Sequence, residues 1–96
     1  MSELYVRPIR DIAARMLGEE VIVMAVRDSR VFSLNPTASA IWSGADGVTP
    51  LREIVARRVA CEFEVDADAA YQDAVALVEE LAREGILQIS DGPIPE

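Results

Sequence analysis

Residue types that carry catalytic chemistry are scarce in this sequence of 96 residues. It has no His and one cysteine, Cys61. Without His the chain lacks the usual general base, the Ser-His-Asp triad and a partner for the thiol, so Cys61 is expected to be a small buried hydrophobe. Glu79 and Glu80 are adjacent, and adjacent helical positions do not face each other, so a solvated pair is expected. We therefore predict no catalytic residue, and the chain is not expected to be an enzyme.

Metal and cofactor sites are not expected either. The missing His and the single Cys exclude the commonest metal ligand and any cysteine-based metal or iron–sulfur cluster. The five Gly residues are scattered and form no phosphate-binding loop. The sequence therefore predicts no cofactor and no metal, and the function is expected to reside in a binding surface.

The net charge of −8 arises entirely in the second part of the chain. Residues 1–34 carry five Arg and five acids, whereas residues 35–96 carry four Arg and twelve acids. Acidic helices beside a neutral sheet repel nucleic acid and anionic membranes, so neither is an expected partner. No apolar run is long enough to span a bilayer or to form the apolar core of a signal peptide. A single Cys cannot form an internal disulfide, which fits a reducing compartment. A cytoplasmic location is expected.

The most informative segment is a short strand that leads directly into a helix. In the strand, residues 30–34, alternation places Phe32 and Leu34 on one face and Val31 and Ser33 on the other. Asn35 is a preferred N-cap and Pro36 suits the first helical position. The helix then has one apolar face at helical spacing, with Trp42 expected in the core; its members are Ala38, Ile41, Trp42 and Ala45.

The other elements follow from local signals along the chain. Expected in order are a loose arm (1–11), strands 12–17 and 20–27, a turn at Asp28-Ser29, and the strand and helix just described. Thr49, as N-cap, starts a second helix that ends near 61–63, and Asp66 caps a third helix that runs to Glu84. A short strand (86–89) and a frayed tail (91–96) complete one domain. This order predicts an α+β fold: a winged helix-turn-helix, with a three-stranded antiparallel sheet followed by three helices.

Five segments in combination resemble the PqqD family over about residues 12 to 90. They are EVIVMAV, RVFSLNPTASAIW, the break at Asp46-Gly47, LREIVARRVACEFEVD and AYQDAVALVEELAREGIL. The resemblance implies a winged helix-turn-helix that binds peptide rather than DNA. In such domains, also called RiPP recognition elements, the leader of a ribosomally made precursor peptide adds as an antiparallel strand to the third strand of the sheet, beside the third helix.

The resemblance also implies partners. The domain would act as a peptide chaperone that presents the precursor to a modifying enzyme. In pyrroloquinoline quinone (PQQ) biosynthesis that enzyme is a radical SAM protein, and relatives serve lasso-peptide and other pathways. The pathway of this chain stays open.

The predicted peptide-binding residues lie on the third predicted strand and the third helix. The helix has a core stripe of Ala67, Ala70, Ala74, Leu77 and Leu81, and an additional apolar shoulder. We hypothesise that this shoulder floors a groove whose acidic rim receives basic leader residues. The strand residues are Arg30, Val31, Phe32, Ser33 and Leu34; the floor is Tyr71, Val75 and Val78, and the rim is Asp68 and Glu79. The alternative is that the shoulder packs on the sheet or on the other helices.

Two other functions stay open at this point. A DNA-binding winged helix has a compatible element order, but the segment 66–84 that would enter the groove has six acids and one Arg, a net charge of −5. A strand-swapped dimeric interaction module is the other alternative, because a free strand edge can pair with a second copy of the chain.

Overall fold

The computed structural model describes residues 3–27 and 29–95. The strands are β1 (Tyr5–Pro8), β2 (Ile12–Leu17), β3 (Glu20–Ala25), β4 (Arg30–Leu34) and β5 (Leu87–Ser90). The helices are α1 (Pro36–Gly44), α2 (51–63) and α3 (Ala67–Arg83). β2, β3 and β4 form an antiparallel sheet in that order, and the three helices follow it along the chain. The predicted α+β class and its three-stranded sheet are confirmed.

A second, two-stranded sheet was not predicted. β1 pairs antiparallel with β5, with Val6 opposite Ile89, so residues 5–8 are a strand rather than part of a loose arm. Val6 is fully buried and Leu87 nearly so, and both belong to the hydrophobic core. The pairing joins segments about eighty residues apart in the sequence, and the local sequence of neither strand indicates which strand it pairs with. Met1 and Ser2 lie outside the described residues.

Gly47 connects this second sheet to the C-terminal segment. Its N–H donates to the Val6 carbonyl at 2.8 Å, and its own carbonyl accepts the N–H of Ile94 at 2.8 Å. Gly47 has a φ of 81°, a left-handed conformation that favours glycine. Ile94 is buried, so the expectation of a frayed tail is wrong for residues 91–95. Glu96 lies outside the described residues.

The main core lies between one face of the three-stranded sheet, here called the inner face, and the helices. β3 is the central strand, and its side chains alternate between the inner face and the opposite, outer face. Phe32 and Leu34 point to the inner face, whereas Val31 and Ser33 are exposed on the outer face, as expected from alternation. Trp42 is half-buried and packs against the core, which agrees with its predicted position.

The helix starts are partly as predicted. The side chain of Asn35 accepts the N–H of Ala38 at 2.8 Å, and that of Asp66 accepts the N–H of Ala69 at 3.0 Å. Thr49 is not the N-cap of α2, because Pro50 occupies that position and the Thr49 hydroxyl donates to Asp46 at 2.9 Å. The N–H groups of Thr49 and Val48 also donate to Asp46, which lowers the pKa of this carboxyl below its usual value.

α2 changes its winding along its length. Leu51–Val55 is α-helical, Ala56–Ala60 forms a π-helical turn, and Cys61–Phe63 returns to α-helix before Glu64 ends it with a φ of 54°. The wider π turn rotates the last residues away from the apolar stripe that precedes it. Cys61 is therefore exposed rather than buried, which corrects the expectation from sequence. Within the described residues, no helix is both long and apolar enough to cross a membrane.

Candidate functional site

β4 is one of the two outer strands of the three-stranded sheet. It pairs with β3 on one side, and no described strand pairs with its other side. An unpaired strand edge presents main-chain donors and acceptors to which an extended peptide can add as a further strand. The five residues of β4 include no Pro, and the helix start at Asn35-Pro36 ends the strand sharply. This edge is the first part of the candidate site.

The β2–β3 hairpin shows which backbone groups of β3 face each neighbour. Gly18 and Glu19 form a two-residue turn between the paired residues Leu17 and Glu20, and the φ of Gly18 is 65°. The closing pair of such a hairpin exchanges hydrogen bonds, so the backbone groups of Glu20 face β2. Successive residues alternate in direction, and the groups of Val21, Val23 and Ala25 consequently face β4.

Ser39 provides an independent check of this direction. Its hydroxyl accepts the N–H of Val21 at 2.8 Å and donates to the carbonyl of Leu34 at 3.0 Å. The hydroxyl is buried and bridges the ends of β3 and β4, so the backbone groups of Val21 and Leu34 face each other. Arg30, Phe32 and Leu34 therefore turn their backbone groups to β3. Val31 and Ser33 turn theirs to the open edge, which presents two N–H and two carbonyl groups.

Arg30 connects the start of β4 to the end of α3. Its Nη1 lies 2.7 Å from Oε2 of Glu84, and its Nη2 donates to the Glu84 carbonyl at 2.6 Å. The guanidinium also lies 5.4 Å from the centre of the Phe32 ring. The Arg30 and Glu84 side chains are both partly exposed, so the ion pair adds little stability. Its value is geometric, because it places the C-terminal end of α3 beside the start of β4.

The strand-facing flank of α3, defined as Asp73, Leu77, Glu80 and Glu84, follows from helical spacing. These positions are i, i+4, i+7 and i+11 and lie in one row along the helix. Leu77 is half-buried against the core, and Asp73 and Glu80 are exposed. This flank is acidic with one apolar residue. Sequence periodicity already separates these acids from the apolar shoulder, and the Arg30 contact places the C-terminal end of the row, at Glu84, beside the start of β4.

The predicted groove floor lies elsewhere on α3. Arg52 of α2 lies 4.1 Å from the centre of the Tyr71 ring and 3.6 Å from Asp68, so both residues are on the side of α2. Val78 is fully buried in the core, and Val75 packs partly against it. Glu79 is exposed and directly follows the buried Val78 in the sequence. The peptide-binding role of these five residues stays a prediction.

The core stripe of α3 is also displaced from the predicted one. Ala70, Ala74 and Leu81 are buried as expected, and Val78 is buried as well, whereas Leu77 is half-buried and Ala67 is exposed. Ala67 is exposed because the first turn of α3 extends beyond the core. The contact of the Tyr71 ring with Arg52 of α2 agrees with the alternative in which the shoulder packs on the other helices.

The other outer strand, β2, borders a different space. A cavity of about 330 Å³ lies between the β2–β3 turn and helices α1 and α2. Its apolar lining includes Met16, Pro36, Ala40 and Phe63, and Arg58 lies beside them. Met16 is 62% exposed, so this cavity opens to solvent.

Comparisons with known proteins agree with this architecture. The family described as "Coenzyme PQQ synthesis protein D (PqqD)" matches residues 20–87, about two thirds of the chain. A solved structure titled "TbiB1 in Complex with the TbiA(beta) Leader Peptide" superimposes with a TM-score of 0.77 at 22% sequence identity, covering 85% of this chain and 94% of that chain. A likeness at this identity shows a shared fold. A search of curated protein sequences found no match.

Proposed function

The chain belongs to the PqqD family, and from this premise we propose that it is a non-catalytic peptide-binding domain. It captures the leader of a ribosomally made precursor peptide and presents the precursor to a modifying enzyme, in PQQ biosynthesis or a related pathway. The observation that carries this proposal is the open edge of β4, where the backbone groups of Val31 and Ser33 face outward. A radical SAM protein or another peptide-modifying enzyme is the proposed partner, in the cytoplasm.

The leader would add to β4 as an antiparallel strand. The four outward groups of Val31 and Ser33 supply four main-chain hydrogen bonds, each with a net contribution of about 0.5–1.5 kcal/mol. The resulting sum of about 2–6 kcal/mol reaches only the lower end of the estimated cost of association, about 4–15 kcal/mol. Main-chain pairing alone is therefore too weak, and side-chain contacts have to supply the remaining affinity.

The strand-facing flank of α3 is where those contacts would form. In an antiparallel pair, leader residues opposite Phe32 and Leu34 have side chains on the inner face, next to α3. An apolar leader side chain there would meet Phe32 and Leu77, and a basic one would meet Asp73 or Glu80. In this assignment Asp73 and Glu80 take the role that the sequence-based hypothesis gave to Asp68 and Glu79.

The solved neighbour supports the class of ligand. Its title describes TbiB1 in complex with a leader peptide, and its fold is that of this chain. A DNA-binding function has no comparable support, because the net charge of −5 on segment 66–84 repels phosphates. The same backbone groups of β4 could instead pair with β4 of a second copy of the chain. In that case the free domain is a homodimer, and the leader dissociates it by taking the same edge.

The proposal is tested by titrating the isotope-labelled domain with the synthetic leader of a candidate precursor, chosen from short reading frames next to the gene of this chain. NMR shift changes are expected to cluster at the amides of residues 30–34 and on the strand-facing flank of α3. Light scattering with and without the leader identifies a dimer. Absence of binding, or shifts clustered around Arg52 and Tyr71 instead, would contradict strand addition at β4.

A further inference from the structure

The outer face of the three-stranded sheet carries an apolar surface that no described residue covers. The pairing register places its residues in rows across the strands. One row is Ala13, Met24 and Val31, and the next is Arg15, Ile22 and Ser33. Met24 is 43% exposed and Val31 is 60% exposed. We call these six residues the outer-face patch.

The patch ends at the edge where the leader is proposed to add. Val31 and Ser33 have their backbone groups at that edge and their side chains on the outer face. Residues directly opposite each other in an antiparallel pair point to the same face. Leader residues opposite Val31 and Ser33 would therefore extend both rows of the patch from three strands to four.

We propose that the outer-face patch, extended by the bound leader, is the surface on which the modifying enzyme docks. This inference rests on the function proposed above. An enzyme bound there contacts the domain and the leader together. The leader therefore raises the affinity of the domain for the enzyme, and the enzyme raises the affinity of the domain for the leader by the same factor.

The chemistry of the patch defines the enzyme surface that fits it. Met24, Val31 and the half-buried Ile22 require an apolar partner surface. Arg15 is exposed and forms no ion pair with any residue that the structure describes. A carboxylate on the enzyme opposite Arg15 would complete the contact.

The size of the patch favours a tethered enzyme over a second copy of this chain. Three strands about 4.8 Å apart and about 17 Å long cover roughly 240 Å², far below the roughly 800 Å² per partner of a stable interface. A precursor held by the domain at its leader and by the enzyme at its other end raises the local concentration to about millimolar. A small surface is then sufficient for docking.

Two substitutions of the same type on opposite faces of the sheet test the proposal. Met24→Glu places a charge in the patch, whereas Met16→Glu places it on the inner face, beside the cavity near β2. The assay uses the precursor and the modifying enzyme encoded beside the domain. For Met24→Glu we expect leader affinity to stay within about twofold and precursor processing to fall about tenfold or more, because a charge is buried against an apolar surface. Met16→Glu is expected to change neither.

A binding measurement completes the test. Fluorescence anisotropy of the labelled enzyme should show tighter binding to the wild-type domain when the leader is present, and this gain should disappear in Met24→Glu. Ala13→Glu, in the same row and also exposed, provides a second variant if Met24→Glu does not fold.

The outcomes separate the two proposals. Normal processing by Met24→Glu with intact leader binding would overturn the docking face alone, as would an equal loss in Met16→Glu. Failure of the wild-type domain to bind the leader would overturn the proposed function and the docking face with it.

Discussion

The two outer strands of the three-stranded sheet, β2 and β4, both expose unpaired backbone, but their surroundings differ. β4 leads directly into α1 and is connected to α3 by the contacts between Arg30 and Glu84. β2 joins β3 through a two-residue turn and has side chains such as Met16 and Leu17 largely exposed. An unpaired edge is therefore common to both strands, and the ion pair between Arg30 and Glu84 at the end of α3 distinguishes β4.

The difference shows where selectivity would arise. Main-chain pairing is nearly independent of sequence, so either edge could accept an extended chain. Only β4 places the incoming strand beside a helix flank with a defined pattern, one apolar residue among three acids. A peptide that recognises β4 is then selected by its side chains, and the following predictions test this contrast between the edges.

The largest effect is expected from proline at the open edge of β4. Ser33→Pro removes an outward N–H and places a ring where the leader would pair, without loss of a bond to β3. One lost bond of about 1 kcal/mol weakens binding about fivefold, and the steric clash is expected to abolish measurable binding. Isothermal titration with the synthetic leader provides the affinity. Val31→Pro should behave in the same way.

Ala14→Pro is the matched control on the other edge. By the same alternation, the N–H of Ala14 faces away from β3 at the open edge of β2. This variant should fold and bind the leader normally. If both Ser33→Pro and Ala14→Pro lost binding equally, or if neither lost binding, the distinction between the two edges would be wrong.

A core substitution separates binding from stability. Val78→Ala truncates a fully buried side chain and should lower the free energy of unfolding by about 2 kcal/mol, as measured by urea denaturation. Leader affinity should change little at temperatures where the variant stays folded. A large loss of affinity in a folded variant would show instead that Val78 contacts the peptide, as the sequence-based hypothesis held.

Charge reversal on adjacent residues compares the two sides of α3. Glu80→Lys alters the strand-facing flank, whereas Glu79→Lys makes the same change on a neighbouring position away from it. For a leader with a basic residue opposite α3, Glu80→Lys should weaken binding by about threefold to tenfold, and less at high salt, because the pair is partly exposed. Glu79→Lys should have a smaller effect. A larger loss of leader affinity in Glu79→Lys than in Glu80→Lys would place the leader on the other flank of α3.

The smallest effect concerns Asp46, which lies away from both edges. Hydrogen bonds from Thr49 and Val48 lower its pKa in the folded state, so its contribution to stability is present above the unfolded-state pKa and is lost as pH falls through the folded-state value. Asp46→Asn should weaken the decline of stability at acidic pH, as measured by thermal melts from neutral pH downward. Leader affinity at neutral pH should be unchanged, since neither edge is altered.

Much of the fold could be predicted because its signals are local. Asn35 and Asp66 cap helices through residues three positions away, and alternation in β4 depends on neighbours within five residues. The start of α2 was misassigned because Thr49 donates to Asp46 in a preceding turn rather than capping the helix. Cys61 was misplaced because its burial was predicted from residue type and the lack of His, whereas its position after the π turn leaves it exposed.

The candidate site was predictable on the strand and not on the helix. Residues 30–34 form the expected strand, and its open edge follows from the order of the sheet. On α3, periodicity identified two flanks but contained no information on which one faces β4. The contacts of Arg30 with Glu84 and of Arg52 with Tyr71 determine that choice, and each joins elements distant in sequence.

The sequence by itself determined the strand-to-helix segment 30–45, the acidic character of α3 and the resemblance to the PqqD family. These features depend on residue types and on spacings of a few residues, which act before any long-range contact forms. Only the tertiary structure decided that β1 pairs with β5, that Val78 is core, and that Glu84 at the end of α3 contacts Arg30 at the start of β4. Such outcomes depend on how distant segments pack. A helix with a wide apolar face can bury either flank of that face, and the elements packed against it determine which flank is buried.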